Sequence, residues 1–225
     1  VDFTKVDIKL NGSSVDLAKD EFSDFELALD MKKGILNRSF IVAKDGQKFR
    51  LNFERFVSVA QKELYASKIT VENLSDTEAS VEIRSYIDAD VFNEDANYDE
   101  KFWNVLAQNV AETHMSLTAQ TIPNNFGTPQ FTTEMLADHV TDLRPMAAET
   151  TEKSVINTFA GQIAAGQTVT FEKRVIVVTS RDHETQEALT QAAQTLSQKQ
   201  AESSFEELKA AQAAGWAKRW EKADV

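Results

Sequence analysis

A chain of 225 residues, 42% of them hydrophobic, is long enough to bury one large core, and its net charge of −12 disfavours a nucleic-acid backbone as partner. It contains no cysteine, which excludes disulfides, thiolate catalysis and cysteine-based metal sites and agrees with a reducing compartment such as the cytoplasm. No apolar run approaches the roughly 20 residues that cross a bilayer, and the first ten residues alternate in polarity, unlike a signal peptide.

Alternation of polar and apolar residues predicts β-strands through most of residues 1–180. The first, VDIKL, ends at the hairpin signal Asn11-Gly12, and Asp45-Gly46 and Ala165-Gly166 are further turn signals. A second strand, FELALDM, places four apolar side chains on one face: Phe25, Leu27, Leu29 and Met31. About ten such strands joined by short turns predict two antiparallel sheets packed face to face.

The stretch DADVFNEDANYDEKFWNVL, residues 88–106, concentrates acidic, amide and aromatic side chains. An EF-hand loop that starts at Asp95 would require Gly and Glu where Glu100 and Leu106 stand, so a standard calcium loop does not fit. A glycosidase pair could be drawn from Asp95, Asp99 and Glu100, but nothing in the sequence desolvates one of these carboxylates. A solvated acidic loop is the commoner outcome for such a stretch.

Aromatic side chains beside amides are typical of sugar contacts, because the rings cover apolar sugar faces while the amides bind hydroxyl groups. Asn97, Tyr98 and Trp103 are therefore our candidates for contact with a carbohydrate or a neighbouring domain. The alternative is that Trp103 only caps one end of the core.

The rest of the strand-rich region offers weak signals for chemistry. The three histidines are far apart, so no metal site is predicted, and no GxSxG elbow or glycine-rich phosphate loop is present. All three prolines lie between residues 121 and 146, which predicts an edge strand and loops there.

From about His183 the period becomes helical, with Leu189, Ala193 and Leu196 on one stripe. A capping box at residues 203–206 starts a second predicted helix. The apolar side chains of that helix share one face: Phe205, Leu208, Trp216 and Trp220. Trp216 and Trp220 form either a face for another domain or a contact with the sandwich itself.

Several strings resemble the N-terminal region of glycoside hydrolase family 65: LDMKKGILNRSF, FERFVSV, IDADVFNEDANYDEKFW and WAKRWEKADV. The resemblance implies an antiparallel β-super-sandwich, similar to the galactose mutarotase fold, over residues 1–182 without its first segment. It also implies a helical linker over 183–225 that leads to an absent (α/α)6 catalytic barrel. The chain lacks an initial Met and stops after a helical pattern, and we expect it to be part of a longer protein.

The resemblance also implies a function, the inverting phosphorolysis of a disaccharide, maltose in the members that the strings resemble most. Phosphate replaces water as the attacking group and releases β-glucose 1-phosphate and glucose. Inorganic phosphate is then a co-substrate and no cofactor is implied. The general acid is a Glu of the barrel, so no catalytic residue is expected in this chain and it should be inactive alone.

The expected partners are the catalytic barrel of the same polypeptide, the disaccharide and a second copy in a homodimer, with no nucleic acid and no membrane. The expected location is the cytoplasm. Two other functions remain open at this point: a carbohydrate-binding β-sandwich module, and a mutarotase-like epimerase that uses His114 with Glu134 or Asp138.

Overall fold

The computed structural model describes residues 1–92 and 100–223, which form two antiparallel β-sheets followed by two helices. The strands are β1 (Val6–Leu10), β2 (Ser13–Ser14), β3 (Phe22–Asp30), β4 (Ile35–Lys44), β5 (Gln47–Val57), β6 (Leu64–Asn73), β7 (Ala79–Asp88), β8 (Trp103–Val110), β9 (His114–Thr121), β10 (Thr132–Thr141), β11 (Arg144–Thr150), β12 (Ser154–Ile163) and β13 (Thr168–Thr179). The helices are α1 (Gln186–Ala201) and α2 (Phe205–Ala223). The predicted class, a mainly-β sandwich with C-terminal helices, is confirmed.

The two sheets differ in width. The smaller has the order β11-β12-β7-β1-β2, and the larger has the order β3-β4-β5-β6-β13-β10-β9-β8. Hairpins build both, and the turn residues explain why. Asn11-Gly12 and Asp45-Gly46 all have positive φ, between 49° and 80°, which matches the two-residue turns that follow the twist of antiparallel strands.

The core lies between the sheets and uses the inward side of each alternating strand. Its largest side chains with almost no exposed surface include four phenylalanines: Phe40, Phe49, Phe159 and Phe171. Each contributes about 2–3 kcal/mol through removal from water. A second part of this interior surrounds Ile87, Met115 and Leu117 near the other end of the sheets.

The five-stranded sheet is too narrow to cover the eight-stranded one, so some apolar side chains of the larger sheet remain exposed. The sequence pattern alone did not show which side chains these are. The apolar side chains predicted on one face of β3 do lie in a row, but they are exposed: Phe25, Leu27 and Leu29, followed by Met31. β3 forms one edge of the larger sheet, while the smaller sheet ends at β2.

The interval between residues 121 and 146 holds more than the predicted loops and edge strand. Pro123 and Pro129 lie outside strands and Pro145 lies in the edge strand β11, as expected. The expectation was wrong for β10, a mostly buried strand that pairs with both β9 and β13 in the interior of the larger sheet. Its alternation was hidden because both of its faces are covered.

The helices cover the outer face of the larger sheet. Leu189 and Ala193 of α1 and Phe205 and Leu208 of α2 are buried there. The capping box begins one residue later than predicted, because Ser204 and Glu207 exchange side-chain and backbone hydrogen bonds.

Strand β13 ends at Thr179 and α1 begins at Gln186, while the domain boundary at residues 182 and 183 stays a prediction. Among the described helices, none is long and apolar enough to span a membrane.

Candidate functional site

Trp103 is the described member of the predicted aromatic and amide group, since Asn97 and Tyr98 lie outside the described residues. It begins β8 and is half-buried, with its ring edge against Phe131 at a centroid distance of 5.6 Å. It packs on the core cluster around Ile87 and Met115. Trp103 therefore helps to close one end of the sandwich, and its contact with a sugar or another domain stays a prediction.

The acidic stretch is bounded by an ion pair at its base. Lys101 Nζ lies 2.5 Å from Asp90 Oδ1, and this hydrogen bond lowers the pKa of Asp90. A carboxyl held in its charged form is a poor general acid. Asp95 and Asp99 lie outside the described residues. In residues 1–92 and 100–223 no group of three or more potential ligands is placed to hold a metal ion.

His114 and Asp138 are brought together by neighbouring strands. They are directly opposed on β9 and β10, and His114 Nδ1 contacts Asp138 Oδ1. The second oxygen, Oδ2, accepts a hydrogen bond from Ser197 of α1. Because both carboxylate oxygens are engaged and α1 covers the carboxylate, the pair joins the helix to the sheet. The groove beside it, lined by His114, Ser197 and Gln198, is open to solvent.

Glu134, the other predicted partner of His114, is directed to α1 instead. It is buried, and its Oε2 accepts hydrogen bonds from Thr190 Oγ1 at 2.8 Å and Gln186 Nε2 at 3.3 Å. The structure therefore assembles one of the two predicted pairs. Both carboxylates attach the first helix to β10.

The two tryptophans of α2 lie half-buried against the turn between β3 and β4. Trp220 Nε1 donates a hydrogen bond to the carbonyl oxygen of Met31 at 3.0 Å. The Trp216 indole covers Gly34, and its centroid lies 6.4 Å from that of Trp220. The contact with the sandwich, one of the two expected arrangements, is present, and contact with a further domain stays a prediction.

Gln212 is a buried residue that the sequence pattern did not single out. Its Nε2 donates to the carbonyl oxygen of Gly34 at 3.0 Å, and its Oε1 accepts from the backbone N–H of Val59 at 2.7 Å. Polar helix residues are usually exposed, so the amide was not expected to face the sheet. Its position in the helix could have indicated that it is buried, because Gln212 continues the stripe of Phe205 and Leu208.

Arg174 of β13 was also missed, and it holds the end of α1. Its Nη1 donates to the carbonyl oxygens of Gln200 at 3.0 Å and Ser203 at 2.7 Å. The Gln200 carbonyl, in the last turn of α1, also accepts from the backbone N–H of Ser203 at 3.1 Å, and the guanidinium complements the negative end of the helix dipole. Together with Gln212, Arg174 fixes both helices to the larger sheet.

Substitution of Gly34 by Ala should loosen α2 from the sandwich. The backbone has φ +65°, which is unfavourable for a side chain, and the added Cβ would overlap the Trp216 indole. We expect the free energy of unfolding to fall by about 2 kcal/mol in urea titrations, with red-shifted tryptophan emission.

Gly12→Ala is the matched control, because its φ is +80° and no atom lies near the added Cβ. This variant should lose only the stability that a positive φ costs a residue with a side chain, and its tryptophan emission should match that of the wild type. Equal stability and equal emission of the two variants would contradict the contact between Gly34 and Trp216.

The sequence model of the glycosyl hydrolase family 65 N-terminal domain matches residues 1–219. The chain belongs to this family. A maltose phosphorylase of Bacillus subtilis is 35% identical over 226 residues, which cover the whole chain and 29% of that protein. A 1,2-alpha-glucosylglycerol phosphorylase of Bacillus selenitireducens is 27% identical over 93% of the chain and 26% of its own length.

The fold of this family 65 domain also matches a solved structure. A protein from the human microbiome, assigned as a kojibiose phosphorylase, superposes on 95% of the chain with a TM-score of 0.84 and 19% identity. The match covers 27% of that protein. The chain thus spans less than a third of the length of these relatives, and it corresponds to the N-terminal domain of family 65 phosphorylases.

Proposed function

We propose that the chain is the non-catalytic N-terminal domain of an inverting disaccharide phosphorylase that acts on maltose. The observation that carries this proposal is the 35% identity to a maltose phosphorylase along the whole chain. The second curated relative acts on a different glucoside and is less similar, at 27% identity. Maltose is therefore the first substrate to test.

The chemistry of the proposed reaction explains why catalysis would belong to the barrel and not to this domain. A general acid protonates the glycosidic oxygen while phosphate attacks the anomeric carbon from the opposite face, which inverts its configuration. Both groups must be held in one cleft, and the family resemblance assigns that cleft to a helical barrel. Inorganic phosphate is a co-substrate in this scheme, and no cofactor is required.

The sandwich domain then acts as a rigid support. Arg174 and Gln212 attach α1 and α2 to the larger sheet, so the polypeptide would enter the barrel from a fixed position. We propose in addition that the full-length protein is a cytoplasmic homodimer. Sedimentation of the full-length protein tests the dimer directly.

The activity test compares the full-length protein with the 225-residue chain. We expect the full-length protein to convert maltose and phosphate to glucose and β-glucose 1-phosphate, which NMR of the anomeric proton distinguishes from the α-anomer. The 225-residue chain should release no glucose under the same conditions. Kojibiose, trehalose and glucosylglycerol serve as comparison substrates.

Two results would contradict this proposal. One is phosphate-dependent glucose release by the 225-residue chain, which would place the catalytic group within it. The other is a full-length protein that phosphorolyses a comparison substrate and leaves maltose unchanged, which would refute the substrate while keeping the reaction class.

A further inference from the structure

Beside α1, a groove of about 510 Å³ lies on the outer face of the larger sheet. Its floor is a row across three strands, because Asn109 of β8 is opposite Ser116 of β9, which is in turn opposite Leu136 of β10. Its wall is the side of α1, where Gln194 and Gln198 lie one helical turn apart. The groove is therefore built from strands and a helix, which hold its side chains in place.

His114 also lines this groove, and Asp138 fixes the orientation of its ring. The Nδ1 atom contacts Asp138 Oδ1, and a carboxylate oxygen can only accept, so Nδ1 carries the proton and donates. In the neutral ring Nε2 is then an acceptor. Because Ser197 of α1 holds the other oxygen of Asp138 and the imidazole is 66% exposed, Nε2 is a fixed acceptor that a molecule in the groove can reach.

The charge of the lining indicates the class of ligand. Charged residues make up 27% of the chain, yet the described residues that line the groove include no Lys, Arg, Asp or Glu. Recognition of a phosphate group uses Lys or Arg, and a metal ion needs several carboxylate or imidazole ligands, so neither class fits this lining. A neutral molecule that forms hydrogen bonds fits better.

The hydrogen-bonding capacity of the groove narrows this class to polyhydroxyl compounds. The amides of Asn109, Gln194 and Gln198 are exposed, and each has two N–H donors and one carbonyl acceptor. A sugar hydroxyl both donates and accepts, so it can bond to these amides, to the Ser116 hydroxyl and to Nε2 of His114. Apolar contact with the C–H groups of a pyranose ring comes from Leu136 in the floor.

A peptide fits the groove less well than a small molecule does. Extended peptides bind mainly through the free backbone groups of an edge strand. Strands β9 and β10 in the floor are each paired on both sides, so their backbone groups are already engaged. Recognition in the groove therefore depends on side chains.

We propose that this groove binds one hexose unit of a neutral saccharide, and that Nε2 of His114 accepts a hydrogen bond from one of its hydroxyl groups. The ligand class follows from the groove itself, so the proposal does not depend on the phosphorolysis of maltose. The groove is open, and its described lining holds no aromatic ring apart from the imidazole. We therefore expect a dissociation constant for glucose of about 1–10 mM.

NMR of the histidine rings tests the site in the 225-residue chain, with glucose as the probe. The chain has three histidines, and the ring signals of His114 are identified by their loss in His114→Gln. At constant pH, we expect these signals to shift with added glucose and to saturate, while those of the buried His139 and of His183 stay in place. The proposal is overturned if the His114 shift does not saturate by about 50 mM glucose, or if glycerol at the same hydroxyl concentration reproduces it.

Two glutamines of α1 provide a matched pair of variants. Gln198→Ala should weaken glucose binding about threefold or more, because it removes a hydrogen-bonding group from the wall. Gln191→Ala is the control, since Gln191 is also exposed on α1 but bonds to Thr195 outside the groove, and it should leave the affinity unchanged. Equal affinities of two variants with equal stability in urea would place glucose elsewhere and refute the site.

Inorganic phosphate distinguishes the saccharide groove from an anion site. It should leave the His114 signals in place, whereas a saturating shift with phosphate and none with glucose would overturn the proposal. Maltose phosphorolysis is measured separately, on the full-length protein. A full-length protein that is active on maltose, with no glucose shift in the 225-residue chain, refutes the groove alone. A saturating glucose shift with a full-length protein that is inactive on maltose refutes the proposed function alone.

Discussion

Lowering the pH from 6.5 towards 3 should remove up to about 5 kcal/mol from the free energy of unfolding through one residue, His139. The side chain is buried between the sheets and packs on Phe159 and Phe171 at centroid distances of 5.1 and 5.3 Å. Burial, then the charge of Lys173, lowers the pKa of His139 to about 3 from its ordinary value of 6.5.

The direction of this change in stability with pH follows from proton uptake. Between pH 6.5 and 3 the unfolded chain binds a proton at His139 that the folded chain does not, so stability falls as the pH falls. The hydrogen bonds agree with a neutral ring. Nδ1 lies 2.9 Å from the Thr113 carbonyl oxygen and must donate, which leaves Nε2 to accept from Ser85 Oγ at 2.9 Å.

Urea unfolding between pH 4 and 8 measures this effect. His139→Asn should be less stable than wild type at pH 7, because a cavity forms, but it should lose most of the slope below pH 6.5. His183→Gln, in the segment between β13 and α1, should keep the wild-type slope. A wild-type slope retained in His139→Asn would show that other groups cause the acid sensitivity.

Raising the pH from 7 to 10.5 should stabilise the protein by up to about 5 kcal/mol through Lys173. This lysine is fully buried on β13, directly opposite His139 in the strand register. Its Nζ donates to the Tyr86 carbonyl oxygen at 2.6 Å and lies 3.4 Å from that of Lys5, so it joins the larger sheet to the smaller one.

Burial lowers the pKa of Lys173 to about 7 from its ordinary value of 10.5. In this interval the unfolded chain holds one proton more than the folded chain, so the free energy of unfolding increases as the pH rises. The effect is separate from that of His139, whose interval lies below 6.5. The two residues should therefore produce two distinct rises in stability with pH.

Lys173→Met keeps most of the side-chain volume and removes the charge. We expect it to be at least as stable as wild type at pH 6, because replacement of a buried charge by an apolar group is often stabilising, and to lose the rise above pH 7. Lys48→Met, at an exposed position of β5, should retain that rise. Strong destabilisation by Lys173→Met at pH 6 would mean that the two carbonyl contacts outweigh the cost of the buried charge.

The candidate sites show how far sequence reasoning reached. The stripe of α2 was predicted correctly from spacing, because a helix face is set by local geometry. The contact of His114 with Asp138 depended on which strands are neighbours, and the pairing of β9 with β10 is a long-range property. Gln212 and Arg174 were missed because polarity predicts exposure, and their partners are carbonyl groups that carry no sequence signal.

The sequence by itself determined the local order of this protein. Alternation, turn residues and the change to a helical period predicted most of the strands, several of the hairpin turns and the two helices, and distinctive strings indicated the family. Only the tertiary structure decided which apolar faces are covered. Leu27 and Phe171 both belong to alternating strands, yet one is exposed and the other buried, because burial depends on the different widths of two sheets that pair residues far apart in the chain.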